Sequence, residues 1–209
     1  MSIATLLPER AGRSSAATSS VFSSIESSLL EVVRKVFLAP EAIDYQVVAL
    51  ISPGLSDGVS FLCACLASVL GESNGKTLVI SGVDLLNMGI ANLQLRDVDF
   101  MKVGDNEVWV VPQELSRSSC RTSMNVSLLN SLTNLKRQFD FIIVDAGAFG
   151  QRGLPQELSS WVDGFLLVVT EGQTEISRIA NIRKDLTKNG GRIIGAIYSS
   201  YSSGTAGGR

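Results

Sequence analysis

From Val21 to Leu38, apolar residues return every three or four positions: Val21, Phe22, Ile25, Leu29, Val32, Val33 and Val36. That spacing puts them on one helix face, leaves Ser23, Ser24, Ser27, Glu31, Arg34 and Lys35 on the other, and ends at Pro40. Beyond Pro40 the period changes. Short apolar runs at Gln46–Ser52, Thr77–Ser81, Glu107–Val111, Phe141–Asp145, Phe165–Thr170 and Arg192–Tyr198 read as strands. Two of them, Val47–Ile51 and Phe165–Val169, contain no polar position, as expected of strands covered on both faces. Helices are predicted between the runs, over Val59–Leu70, Asn125–Arg137 and Glu175–Asn189, the last stopped by Asn189-Gly190-Gly191.

Strands alternating with helices require right-handed crossovers. The pattern therefore predicts an α/β fold: a mostly parallel sheet flanked by helices on both faces, in three layers. Residues 1–20, rich in Ser, Ala and Thr, and the Ser/Gly-rich 202–209 read as flexible tails, with 21–201 as the domain.

Composition narrows the function. The chain has 209 residues, 45% of them hydrophobic, which suits one domain with a real core. A net charge of −2 and a pI near 5.2 provide no basic field for nucleic acid. Only 18% of residues are charged and the mean hydropathy is +0.25, which leaves apolar surface for a partner or for self-assembly to cover. No histidine occurs, which excludes Ser-His-Asp and Cys-His chemistry and any histidine-based zinc site. Cys63, Cys65 and Cys120 lack metal-like spacing, and the first two, within Phe61–Leu70, read as buried structural thiols. No apolar run approaches the roughly 20 residues of a membrane helix, and Met1–Arg13 has no signal-peptide core. A cytoplasmic domain without direct membrane insertion is expected.

Candidate chemistry lies where the first strand meets the first crossover helix. Ser52-Pro53-Gly54-Leu55-Ser56-Asp57-Gly58-Val59-Ser60 is a Gly-rich strand-to-helix loop, the setting in which backbone N–H groups and a helix N-terminus face a phosphate. A working loop of this kind ends in Gly-Lys-Ser/Thr, the lysine on the phosphates and the hydroxyl on magnesium. Gly58 and Ser60 are present, but Val59 stands at the lysine position. On loop chemistry alone, an ordinary Gly-rich turn accounts for the segment better. The run Phe139–Asp145 shifts that balance, because an apolar strand closing on an aspartate is the arrangement that orients magnesium or its water.

With both segments in view, the chain resembles the cytoplasmic domain of bacterial tyrosine kinases of capsular and exopolysaccharide synthesis. These are relatives of the partition and septum-site ATPases. The resemblance runs over residues 25 to 201. Family loops of the form Ser-Pro-x-x-Gly-Glu-Gly-Lys-Ser match Ser52, Pro53, Gly58 and Ser60, with Ser56, Asp57 and Val59 as departures. Asn74–Ile80 is similar to a Gly-Lys-x-Val-Leu-Leu-Ile strand, Phe139–Asp145 to Tyr-Asp-x-Ile-Ile-Asp, and Val162–Val169 to Ala-Asp-Gly-x-Leu-Leu-Val-Val. The family's Asp-Ala-Asp after the second strand is here Ser81-Gly82-Val83, so Asp84 replaces the carboxylate only with a shift in the loop. Ser199 stands where an adenine-reading asparagine is usual.

The resemblance implies a degenerate member: a pseudo-kinase or pseudo-ATPase that carries no nucleotide. Its vestigial nucleotide site would be Ser56, Asp57, Gly58, Val59 and Ser60. The alternative is a divergent autokinase or ATPase binding ATP or ADP with magnesium, held by Ser60 and Asp145, with Asp145 and Asp84 as the catalytic carboxylates. The family packs subunits through Glu-x-x-Arg-x-x-Arg, of which Glu31 and Arg34 remain as self-association candidates; an ordinary helix-face ion pair is the plainer reading. Tyr201 is the counterpart of the family's terminal phosphorylated tyrosines, with Tyr198 beside it, although core or strand-end packing explains these two equally well. The implied partner is a membrane-embedded polysaccharide co-polymerase or a related kinase subunit, or further copies of the chain itself. That partner would hold the chain at the inner face of the inner membrane. A third reading, a membrane-associated positioning protein, calls for a basic amphipathic C-terminal helix, and the Ser/Gly tail argues against it.

Overall fold

A computed structural model describes residues 27–38, 45–54, 58–73, 75–90, 100–111, 125–150, 154–172 and 174–199. The first helix, α1, spans 27–36. There follow β1 (Val47–Ser52), α2 (Val59–Glu72), β2 (Thr77–Ser81), α3 (Gly82–Ile90), β3 (Met101–Lys102) and β4 (Val108–Val110). The second half contains α4 (Asn125–Gln138), β5 (Phe141–Ala148), α5 (Leu154–Leu158), β6 (Gly164–Thr170), α6 (Ile176–Lys188) and β7 (Ile193–Ser199). Of the predicted helix Val21–Leu38, residues 21–26 lie outside the described residues, as do both predicted tails and Cys120.

The strands form one seven-stranded sheet in the order β3-β4-β2-β5-β1-β6-β7. All neighbouring pairs are parallel except β3 with β4. Each continuous apolar run supplies two cores by alternation. Val47, Ala49 and Ile51 of β1 join Ile142 and Val144 of β5 and Phe165 and Leu167 of β6 under α3, α4, α5 and α6. Val48, Leu50, Ile143, Leu166 and Val168 face the other way, with Leu29 and Val33 of α1 and Cys63, Leu66 and Leu70 of α2. Period two in the strands thus meets a helical layer on each side, and the expected three-layer α/β fold follows.

Four elements differ from expectation. The segment after β2 is the helix α3 and not a loop. Ser81 starts it, accepting a hydrogen bond from the Asp84 backbone N–H (3.1 Å) as N-cap residues do. β5 runs three residues past Asp145, because Gly147 at φ +65° lets the strand kink and Ala148 regain pairing with Ser52. The short elements β3 and α5 leave no period long enough to read in the sequence.

At the opposite end of the sheet, Asp163 ties the layers together. Its carboxylate accepts from the backbone N–H groups of Gln46 (3.0 Å) and Val47 (2.7 Å) at the head of β1 and pairs with Lys136 of α4 (2.8 Å). Among the described residues, no helix is long and apolar enough to cross a membrane.

Candidate functional site at the carboxyl ends of the strands

The carboxyl ends of β1, β2 and β5, neighbours in the sheet, bring most of the candidate residues together. As β1 ends, the Ser52 hydroxyl donates to the Gly54 carbonyl (2.7 Å) and begins the loop. Ser56 and Asp57 lie outside the described residues. Gly58 emerges with φ +74°, a left-handed conformation suited to glycine, and its carbonyl accepts from the Leu62 N–H (2.9 Å) as α2 begins.

The next two residues part company. Val59 turns inward and is 6% exposed, a member of the same apolar core as Val48, Leu50 and Leu66. Ser60 faces out, and its hydroxyl donates to Asp145 Oδ2 at 2.5 Å. The other oxygen, Oδ1, accepts from the Gly147 backbone N–H (3.1 Å), so both oxygens of Asp145 are engaged within the protein. Just beyond, the Phe149 N–H donates to the Ser52 carbonyl (2.7 Å), binding the end of β5 to the start of the loop.

Ser81 lies beside Asp145 in the β2–β5 register. Its hydroxyl donates to Asp84 Oδ2 (2.6 Å), while Asp84 Oδ1 is buried with no hydrogen-bond partner among the described residues. Asp84 therefore reaches the carboxyl end of β2 from the first turn of a helix, not through a shifted loop. The Ser-x-x-Asp spacing of Ser81 and Asp84 is a capping signature, and it was the available sequence signal for this helix. Cys63 is fully buried on α2; burial, then the Asp145 carboxylate and Cys65, push its thiol well above the usual range. Burial alone pushes Cys65 up to about 11.

The assembly candidates stand apart from this cluster. On α1, Glu31 pairs with Lys35 one turn later (2.6 Å), and Arg34 is exposed beside them. The helix-face ion pair is thus present with Lys35 as its cation, and Lys35 holds the Glu31 carboxyl below its ordinary range. Tyr198 is 64% exposed on the edge strand β7, so core packing does not explain it. Tyr201 lies outside the described residues.

No family model and no curated protein matches the sequence. Solved structures do. The VpsO kinase domain is similar over 90% of this chain and 100% of its own, at 19% identity and a TM-score of 0.70. The kinase domain of the Escherichia coli tyrosine kinase ETK is similar over 86% of this chain and 80% of its own, at 19% identity and a TM-score of 0.64. The septum site-determining protein MinD of Pyrococcus horikoshii, complexed with Mg-ADP, is similar over 77% and 72%, at 20% identity and a TM-score of 0.55. The chain has the P-loop NTPase-like fold of bacterial tyrosine-kinase domains and MinD proteins.

Proposed function

We propose that this chain is a non-catalytic relative of the bacterial tyrosine-kinase domains, a pseudo-kinase or pseudo-ATPase that serves as partner or regulator in exopolysaccharide or capsule assembly. The observation that carries the reading is Val59, which stands at the lysine position of the loop, 6% exposed and packed into the apolar core of α2 and the sheet. Ser60 and Asp145, the pair that holds magnesium in a working site of this fold, still meet (2.5 Å), so the scaffold is kept where the lysine is lost. Val59 brings no charge to the phosphates, and Ser81 stands where a carboxylate would close the site. Loss of a charge-assisted contact of the lysine type removes what phosphoryl transfer can least spare. This donor set fits a magnesium nucleotide poorly, and the scaffold fits a protein whose work is to be bound. Its partner would be a membrane-embedded polysaccharide co-polymerase or an active kinase subunit, which would hold it at the inner face of the membrane.

One observation favours the rival, a divergent ATPase or kinase. Asp84 Oδ1, buried and without a partner among the described residues, lies near the end of β2, the strand beside Asp145. Calorimetric titration with ATP and magnesium, followed by a turnover assay, separates the two. The expected result is neither binding at micromolar concentration nor turnover; micromolar binding with magnesium-dependent turnover overturns the proposal.

A further inference from the structure

We infer that the outer face of α6 docks an acidic segment of a partner protein. Helix α6 is buried along Ile182 and Leu186 only. At 100° per residue, Ser177, Asn181, Lys184 and Lys188 lie opposite those two, with Arg178 and Arg183 on the flanks. All four cations are exposed, and among the described residues none makes an ion pair or ring contact.

The rest of the chain treats most of its described cations differently. Lys35 pairs with Glu31, Lys102 with Glu107, and Lys136 with Asp163. Lys76 stands 5.0 Å from the ring centres of both Trp109 and Phe139, and Arg192 is 5.3 Å from that of Tyr45. Arg34 and Arg137 are also without such a contact among the described residues, but they stand on other helices. The helix's own dipole explains a cation in its last turn, which accounts for Lys188 and leaves Arg178, Arg183 and Lys184.

Charge complementarity selects the occupant. The whole chain carries −2, so it has no long-range attraction for a nucleic acid or a uniformly anionic bilayer. Asp185, between Lys184 and Lys188 in sequence, would repel such a bilayer as well. A polypeptide can set its carboxylates against the lysines, spaced one helical turn apart, and place a neutral residue near Asp185. Such pairs act at contact range, inside the Debye length of about 8 Å. Ile176, 84% exposed at the head of the same helix, adds an apolar foothold.

This deepens the proposed function by giving the chemistry of the partner's contact. Its test involves no nucleotide, so its failure is separable from that of the non-catalytic reading. Fluorescence anisotropy of a fluorescein-labelled peptide that repeats Glu-Ser-Gly-Ser, with its carboxylates spaced by neutral residues, on the full chain is the measurement, with wild type, K184E/K188E and a control, R34E/R137E. The expected result is saturable binding that weakens with salt, falls about tenfold in K184E/K188E and changes less than about twofold in the control. Absent binding, or equal losses in both variants, overturns the proposal. So does lysine-dependent sedimentation with phosphatidylglycerol vesicles when the peptide does not bind, since the face would then be a lipid contact.

Discussion

Ser60 and Asp145, 85 residues apart in the chain, meet directly: the serine hydroxyl donates to the carboxylate at 2.5 Å. The contact joins the first turn of α2 to β5, and the same carboxylate holds the Gly147 N–H where β5 kinks. Asp145 thereby works as a clip. Asp145→Ala should cost about 1 kcal/mol, chiefly because it leaves the part-buried Gly147 N–H without its acceptor, while the exposed Ser60 hydroxyl can turn to water. Asp145→Asn retains an acceptor oxygen and should cost less. Urea unfolding of the two variants checks the order, and an unchanged midpoint for Asp145→Ala would show that the clip carries no weight.

Val59→Lys tests whether the site can be repaired by restoring one residue. The side chain at this position is 6% exposed in an apolar core, so the ammonium must be desolvated or drag its stem outward. A loss of about 2 kcal/mol or more is expected in thermal unfolding, with no gain of ATP turnover. Turnover appearing in this variant alone would mean that the remaining groups still form a working site.

How much of this could be read from the sequence depends on whether a residue's role is periodic or relational. The apolar runs of β1 and β6 announced strands covered on both faces, and the two cores use them by alternation. The end of α6 at Asn189-Gly190-Gly191 was equally plain. By contrast, α3 begins with glycine directly after a strand, and only the Ser81–Asp84 capping pair marks it. The approach of Ser60 to Asp145 is set by how α2 packs on the sheet, which no local pattern encodes. The family resemblance could set Ser60 and Asp145 about one magnesium ion; the direct donation from the hydroxyl to the carboxylate could not be read.

Gly71 shows packing of that kind. A Cβ on this residue of α2 would stand 2.7 Å from Val108 Cγ2 and 3.3 Å from the Glu107 backbone. Alanine gains helix propensity, worth up to about 1 kcal/mol over glycine, but must displace a stiff β-branched side chain and the chain beside it. Overpacking costs about 1–3 kcal/mol, so Gly71→Ala should be net destabilising despite its better propensity. Denaturant melts decide the sign, and a stabilised variant would mean that the β4 end of the sheet yields easily.

The thiols give a pH prediction. With Cys65 raised to about 11, only about one molecule in a thousand carries its thiolate at pH 8. Alkylation by iodoacetamide, followed at this residue by mass spectrometry, should run on the order of a hundredfold slower than for an ordinary cysteine. The rate should rise about tenfold per pH unit until the pH nears the raised value. Cys63, pushed well above its ordinary range and fully buried, should label only on unfolding. Fast labelling of Cys65 at neutral pH would place it in open water, against the packing of α2.

Asp163 belongs to the stretch Val162–Val169, which is similar to Ala-Asp-Gly-x-Leu-Leu-Val-Val, yet it lies at the end of the sheet away from Asp145. Its work is structural. One carboxylate caps two backbone N–H groups where β1 begins and meets Lys136 of α4, whose neighbourhood Gln46 also holds through the Lys136 and Phe139 carbonyls (2.6 and 2.8 Å). The pair is partly exposed, with side chains 24% and 35% accessible, so solvent screens the charge and the backbone contacts carry more of the effect. Asp163→Ala should therefore cost about 2 kcal/mol, chiefly by stranding the N–H groups of Gln46 and Val47. Asp163→Asn keeps an acceptor for them and should cost about 1 kcal/mol or less, as should Lys136→Met. A double-mutant cycle between positions 136 and 163 separates the terms. A coupling energy as large as the whole Asp163→Ala loss would make the ion pair the principal tie, and a small one assigns that role to the backbone caps.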